Sequence, residues 1–231
     1  MLPLVAKAWP SQVPRALLPA MIDPTKIPWR GVITSGQPRI RLLRSFDERS
    51  HSYLGYVLRI HGDIGGEQRE FAVAVGTVAH AKHQFTVGNH VSGVGVPVAD
   101  PRLETADLYK VSGVKVGARA AAVDTPPPPW HGLAPPIETY RKRGHRRLAA
   151  GTYERRCTTC IWGCRMPVEM IIDQWKPDIV RHRTETFCYG PLSCPWYKAG
   201  PTRKVPGRRG MVWEEPAWLD EEETKHRSPD E

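Results

Sequence analysis

Four cysteines in the C-terminal half carry the clearest chemistry in this sequence. Cys157 and Cys160 are separated by two residues, and Cys188 and Cys194 follow, separated by five. A two-residue spacing lets both thiolates point into one site from a single turn, with backbone N–H groups facing the sulfurs. Four soft sulfur donors at the corners of a tetrahedron suit Zn2+, and a closed four-thiolate site has no open position for water or substrate. Such a site braces a small module that lacks a core of its own. All five cysteines fall between positions 157 and 194. An odd, clustered set fits metal binding in a reducing compartment better than a disulfide framework. Cys164 competes with any of the four as a ligand. An iron–sulfur cluster is the alternative, with three cysteines inside eight residues and Pro195 following Cys194.

Bringing the two pairs together requires a chain reversal between them. Met166–Trp175 alternates in part, Lys176-Pro177-Asp178 supplies a turn, and Ile179–Phe187 returns, which predicts a β-hairpin. With its paired cysteines, this segment resembles the zinc-ribbon class. It departs from that class in the wide second pair, so the ligand set stays open. His182, in mid-strand, reads as a solvated or internally satisfied histidine.

Charge surrounds the module. The chain holds 33 Lys and Arg against 24 Asp and Glu. Residues 214–231 contain eight of the acids and only Lys225 and Arg227, leaving 31 basic and 16 acidic residues elsewhere, a body of +15. A field of that sign attracts polyanions. Arg141, Lys142, Arg143, Arg146, Arg147, Arg155 and Arg156 lead into Cys157, and Lys198, Arg203, Lys204, Arg208 and Arg209 follow Cys194. Trp196 lies among them as a surface on which a base can stack. Arg203–Gly210 reads as a flexible basic loop. The acidic tail either folds back over this basic rim or keeps it dissolved.

The first half is expected to be β-rich. Alternation predicts strands at Pro38–Arg44, Ser52–Ile60 (Leu54, Tyr56, Leu58 and Ile60 on one face) and Glu70–Val75, the last two joined by a glycine turn. A short helix, Thr77–Gln84, precedes a glycine-rich strand from Phe85 to Val98, and Leu108–Val116 closes the set. His80 and His83 on that helix are expected to be exposed. Five strands with a helix between the third and fourth resemble the OB-fold over about 85 residues. That resemblance implies a groove on the outer face, where Arg39, Arg41, Tyr53 and Arg59 are candidates for contact with nucleic acid.

These readings divide the chain into an extended arm (1–29), an OB-like β-barrel (30–117), an Ala/Pro-rich linker (118–139), a basic zinc-ribbon-like module (140–212) and an acidic tail (213–231). The fold class is mainly β: a five-stranded barrel plus a small metal-stabilised hairpin module. Phosphate-loop, dinucleotide, nucleophile-elbow and HExxH motifs are absent from the sequence, and the chain reads as non-catalytic. Prolines interrupt every apolar run near the N-terminus, so neither a signal peptide nor a membrane span is expected, and the location expected is cytoplasmic. The function expected is binding of single-stranded or structured RNA or DNA with low sequence specificity. The alternatives are a zinc-stabilised protein-interaction scaffold and an iron–sulfur redox or sensing protein.

Overall fold

The computed structural model describes residues 25–45, 48–117 and 130–230. Residues 1–24 of the expected arm and 118–129 of the expected linker, with its four prolines, lie outside them. The architecture is mainly β, 46% strand against 17% helix. In chain order the elements are β1 (Ile27–Arg44), β2 (Arg49–Ile64), β3 (Glu67–Val75), α1 (Thr77–His83), β4 (His90–Pro97) and β5 (Leu108–Val116). There follow α2 (Ile137–Arg143), β6 (Arg146–Arg147), the single turn α3 (Ala150–Thr152) running into a π-turn at Tyr153–Cys157, then β7 (Gly163–Ile171) and β8 (Val180–Cys188). The chain ends with β9 (Lys204–Pro206), β10 (Val212–Glu214) and α4 (Trp218–Thr224).

Eight strands form one mixed sheet in the order β2-β3-β5-β4-β1-β7-β8-β6, and β2 also pairs with β1. Five strands therefore partly close into a ring. The closure is thin where β3 meets β5, a parallel contact at Val73 and Leu108. There Asp107 accepts the Ala72 N–H through its carboxylate and returns its own N–H to the Ala72 carbonyl, at 2.7 and 2.8 Å.

β1 is long enough to serve three partners. One edge pairs antiparallel with β2 along almost its whole length. The other meets β4 over Ile27–Val32 and, after a gap, runs parallel to β7 over Leu42–Arg44. Register shifts at Ile33/Ser35 and Arg39/Ile40 let so long a strand bend. The second shift leaves Leu54 unopposed and sets Gly55 at φ +124°, so the alternation of β2 resets there. Tyr56, Leu58 and Ile60 are buried as expected, whereas Leu54 is only partly so.

The helix expected from Thr77 forms and caps one end of the ring. His80 turns inward, a correction to its expected exposure: it is 6% exposed, stacks on Tyr56 at 3.8 Å and contacts the Ala134 carbonyl through Nε2. One hydrophobic cluster runs from Trp29, Ile33 and Leu58 through Ile137 and Tyr140 to Met166, Val168 and Phe187. The described parts on either side of residues 118–129 thus share a core as well as a sheet. No helix among the described residues is long and apolar enough to cross a membrane.

The segment expected to be a flexible basic loop instead forms a second hairpin, with β9 paired to β10 through Val205 and Trp213. The tail expected from 213 contributes β10 and α4, and three of its acids, Glu215, Asp220 and Glu223, pair with arginines of the preceding elements. Glu215 is 6% exposed and bonds Arg44 and Arg49 at 2.7 and 2.8 Å. Glu223 also pairs with Arg49, and Asp220 with Arg147 at 2.8 Å.

Candidate metal centre and its basic surroundings

The β7–β8 hairpin forms where the alternation and the Lys176-Pro177-Asp178 turn place it, and its register sets the cysteines. Cys188 lies opposite Gly163, three residues beyond Cys160, and Cys164 lies opposite Phe187. Successive strand residues face opposite sides. Cys188 therefore packs with Tyr153, Leu148 and Cys157 on one side. Cys164 enters the main core on the other, wholly buried, its thiol 3.4 Å from the Pro38 carbonyl.

The first pair sits on a tight turn closed by the Cys160 N–H on the Cys157 carbonyl (3.2 Å) and the Gly163 N–H on the Cys160 carbonyl (3.0 Å). A side chain at Gly163 would strike the Cys157 carbonyl oxygen at 2.5 Å, so glycine is required for this close approach. Strand β1 holds the turn from behind. Gln37 of β1 donates to the carbonyls of Cys157 and Cys160 and accepts from the Tyr153 hydroxyl, and Ser35 donates to the Thr158 carbonyl. Cys194 belongs to a second turn, its N–H on the Pro191 carbonyl at 3.2 Å.

The thiols of Cys157, Cys160 and Cys188 are all raised. Burial, with Cys188 and Cys194 adding to it, pushes Cys157 up to about 11. Burial pushes Cys160 up to about 12, opposed by the N–H groups of Trp162 and Gly163, with Cys188 and Cys157 raising it further. Cys188 is raised by burial and eased by the Gly190 N–H, 3.3 Å from its sulfur, and by Arg146. Even so, no group of three or more His, Cys, Asp or Glu side chains among the described residues is arranged to hold a metal ion. The donor types suit a thiophilic cation: soft sulfurs, with amide N–H groups directed at Cys160 and Cys188 and the Arg146 guanidinium beside Cys188 as well.

The basic residues separate into two populations. Arg147 is buried on Asp220, and Arg203 is paired with Glu185 at 3.1 Å. Arg143 lies over Trp162 and donates to the Tyr189 carbonyl, and Arg146 covers the Tyr197 ring at 3.8 Å. Arg208 pairs with Asp173 at 3.3 Å. Arg155, Arg156, Lys142, Lys198, Lys204 and Arg209 are exposed, and none of them forms an ion pair with the described acids. Arg141 is exposed as well and rests over Tyr53 at 4.9 Å. Arg155 and Arg156 precede Cys157 in the chain, and Trp196 and Lys198 follow Cys194. Trp196 is 41% exposed, with its ring against Trp130 at 5.2 Å.

The candidates on β1 and β2 are placed differently. Arg39 pairs with buried Glu104, and Arg41 donates to the Leu103 carbonyl at 3.0 Å, so the β4–β5 loop lies over both. Arg59 pairs with Glu70 at 3.0 Å on the neighbouring strand. Arg59 also reaches the Tyr153 hydroxyl on the turn before Cys157, and Tyr53 meets the C-terminal half through Arg141 and Tyr189. His182 faces Glu169 across the hairpin at 3.5 Å.

Exposed tryptophans at the hairpin tips escaped the reading of the sequence. Trp175 is 76% and Trp213 54% exposed. Trp175 ends the alternating run from Met166 and Trp213 stands four residues past Arg209, positions that spacing alone assigns equally well to a core. Comparison with protein-family models, with curated proteins and with solved structures finds no match to this chain.

Proposed function

We propose that this chain is a non-catalytic binding protein for single-stranded or structured nucleic acid, its basic contact surface braced by zinc. The observation that carries the reading is the setting of Arg155, Arg156 and Lys198. They adjoin the two cysteine turns in the chain, as does exposed Trp196, and no described acid pairs with them, while Arg39 and Arg59 pair with Glu104 and Glu70. Cations left available beside an exposed aromatic ring suit phosphates and an unpaired base.

Zinc would be held by Cys157, Cys160, Cys188 and Cys194, which share one neighbourhood, while Cys164 faces the core. When bound, the ion supplies a positive charge that keeps these thiols ionised and ties the two turns together. We take the ring to be an OB-type barrel. Its strand order β1-β2-β3-β5-β4, the parallel β3–β5 contact and the helix between β3 and β4 support that assignment.

The test is retention of labelled single strands by the purified chain at low salt. Log affinity should fall linearly with log salt, and Arg155→Glu with Arg156→Glu should flatten the slope by about two phosphate contacts. A chain that retains neither single strands nor duplexes at low salt overturns the proposal.

A further inference from the structure

A cleft of about 390 Å3 opens between the tips of the two C-terminal hairpins. One wall is Ile171, Ile172 and Trp175 from the β7–β8 turn, and the other is Met211, Val212 and Trp213 from the β9–β10 hairpin. Met211 and Val212 are 69% and 61% exposed, so this is an unusually apolar piece of surface. Its rim is cationic. Arg208 lies over the Trp175 ring at 5.1 Å, Arg209 is exposed in a left-handed conformation at φ 55°, and Lys176 adjoins Trp175. The acids nearby are Asp173, which is buried and held by Arg208, exposed Asp178, Glu214 beside Trp213, which accepts from the Thr202 hydroxyl, and Glu48 near Ile171.

We propose that this cleft takes an unpaired nucleobase of a single strand, with the flanking phosphates on Arg208, Arg209 and Lys176. The inference rests on the nucleic-acid reading above and adds a second contact region, separate from the cysteine turns. Planar aromatic walls with cations at the edge match the two faces of a nucleotide, a flat ring and an anionic backbone. A membrane surface fits less well. Inserting hairpins lead with convex apolar tips, whereas here the apolar groups line a concave cleft and Trp175 is held by Arg208. Arg208 also anchors the turn, since its partner Asp173 accepts the Trp175 N–H at 3.1 Å.

The experiment is fluorescence anisotropy of the full chain with a labelled oligothymidine of about 12 nucleotides, titrated at several salt concentrations. Trp175→Ala combined with Trp213→Ala should weaken binding about tenfold or more while leaving the salt slope unchanged, because stacking releases no counterions. Trp175→Phe should restore most of the affinity lost on changing Trp175 to Ala. Both indoles are largely exposed, and an unchanged melting curve confirms that the variants fold. Wild-type affinity in the double variant overturns the inference and leaves the nucleic-acid reading standing. No strand binding by the wild-type chain ends both. Binding to anionic phospholipid vesicles that the double variant loses, with strand binding unaltered, overturns it in favour of a lipid surface.

Discussion

Gln37 donates its side-chain amide to the carbonyl oxygen of Cys157 at 2.7 Å, tying the middle of β1 to the first cysteine turn. The same amide reaches the Cys160 carbonyl at 2.9 Å, and the Tyr153 hydroxyl donates to its oxygen at 2.7 Å. Gln37 is 7% exposed, so these groups have little access to water. Gln37→Leu strips partners from two carbonyls and a phenol at once. The expected cost is about 2–4 kcal/mol of unfolding free energy, measured by urea denaturation. A change below about 0.5 kcal/mol would mean that β1 does not hold the cysteine turn.

The ion network around Arg44 makes a second prediction. Its guanidinium, with the side chain 3% exposed, lies between Glu185 of β8 and Glu215 of the tail. Glu215→Ala leaves that charge with one carboxylate and should cost about 3 kcal/mol, little changed between low and moderate salt because the pair is buried. Arg44→Met with Glu215→Leu should recover much of the loss. A tail that serves only to keep the chain dissolved predicts no effect of Glu215→Ala on chemical denaturation.

The order of strands and helix in the first half and the cysteine hairpin were legible because each rests on local pattern. Phe71, Val73 and Val75 alternate inward, and a Lys-Pro-Asp turn separates two runs of strand formers. The extension of β1 back to Ile27 was not legible, since Pro28, Gly31 and Gly36 break the apolar pattern. Those residues are tolerated for reasons of tertiary contact: a side chain at Gly31 would lie 2.5 Å from the His61 carbonyl oxygen. The fate of the arginines was equally hidden. Arg39, Arg147 and Arg203 look like their exposed neighbours in sequence, and only the fold brings Glu104, Asp220 and Glu185 against them.

Two histidines predict a pH dependence. His51 and His145 meet at 4.8 Å, and His145, 2% exposed, also packs against Phe187 at 4.6 Å and Tyr189 at 5.8 Å. Burial, with the cations of Arg49 and Arg44 and partly opposed by Glu215, lowers His51 to about 4. Burial, then His51, Arg49, Arg44 and Arg203, lowers His145 well below its ordinary value. Both stay neutral in the folded chain at pH values where the unfolded chain takes up protons. Their contribution to stability is therefore complete above about pH 6.5 and is lost as pH falls toward about 4. The melting temperature should drop between pH 7.5 and pH 5, and His145→Phe should shrink that drop. An equal drop in the variant assigns the acid sensitivity to other groups.

The last prediction separates Cys164 from the other four cysteines. Its thiol is wholly buried in the main core, raised far above the ordinary range by burial and directed at the Pro38 carbonyl. Cys164→Ala removes a buried sulfur and should cost roughly 1–2 kcal/mol, while metal content stays at about one zinc per chain. Serine at Cys157, Cys160, Cys188 or Cys194 should instead lower zinc content. Because Gln37 joins the first turn to β1, those variants should also melt at a lower temperature as whole chains. Elemental analysis with an absorption spectrum on unreconstituted protein decides between the ions: a colourless zinc protein supports the assignment, whereas a brown, iron-containing one replaces it with a cluster. Loss of metal in Cys164→Ala with retention in Cys194→Ser would move the ligand set to the other face of β7.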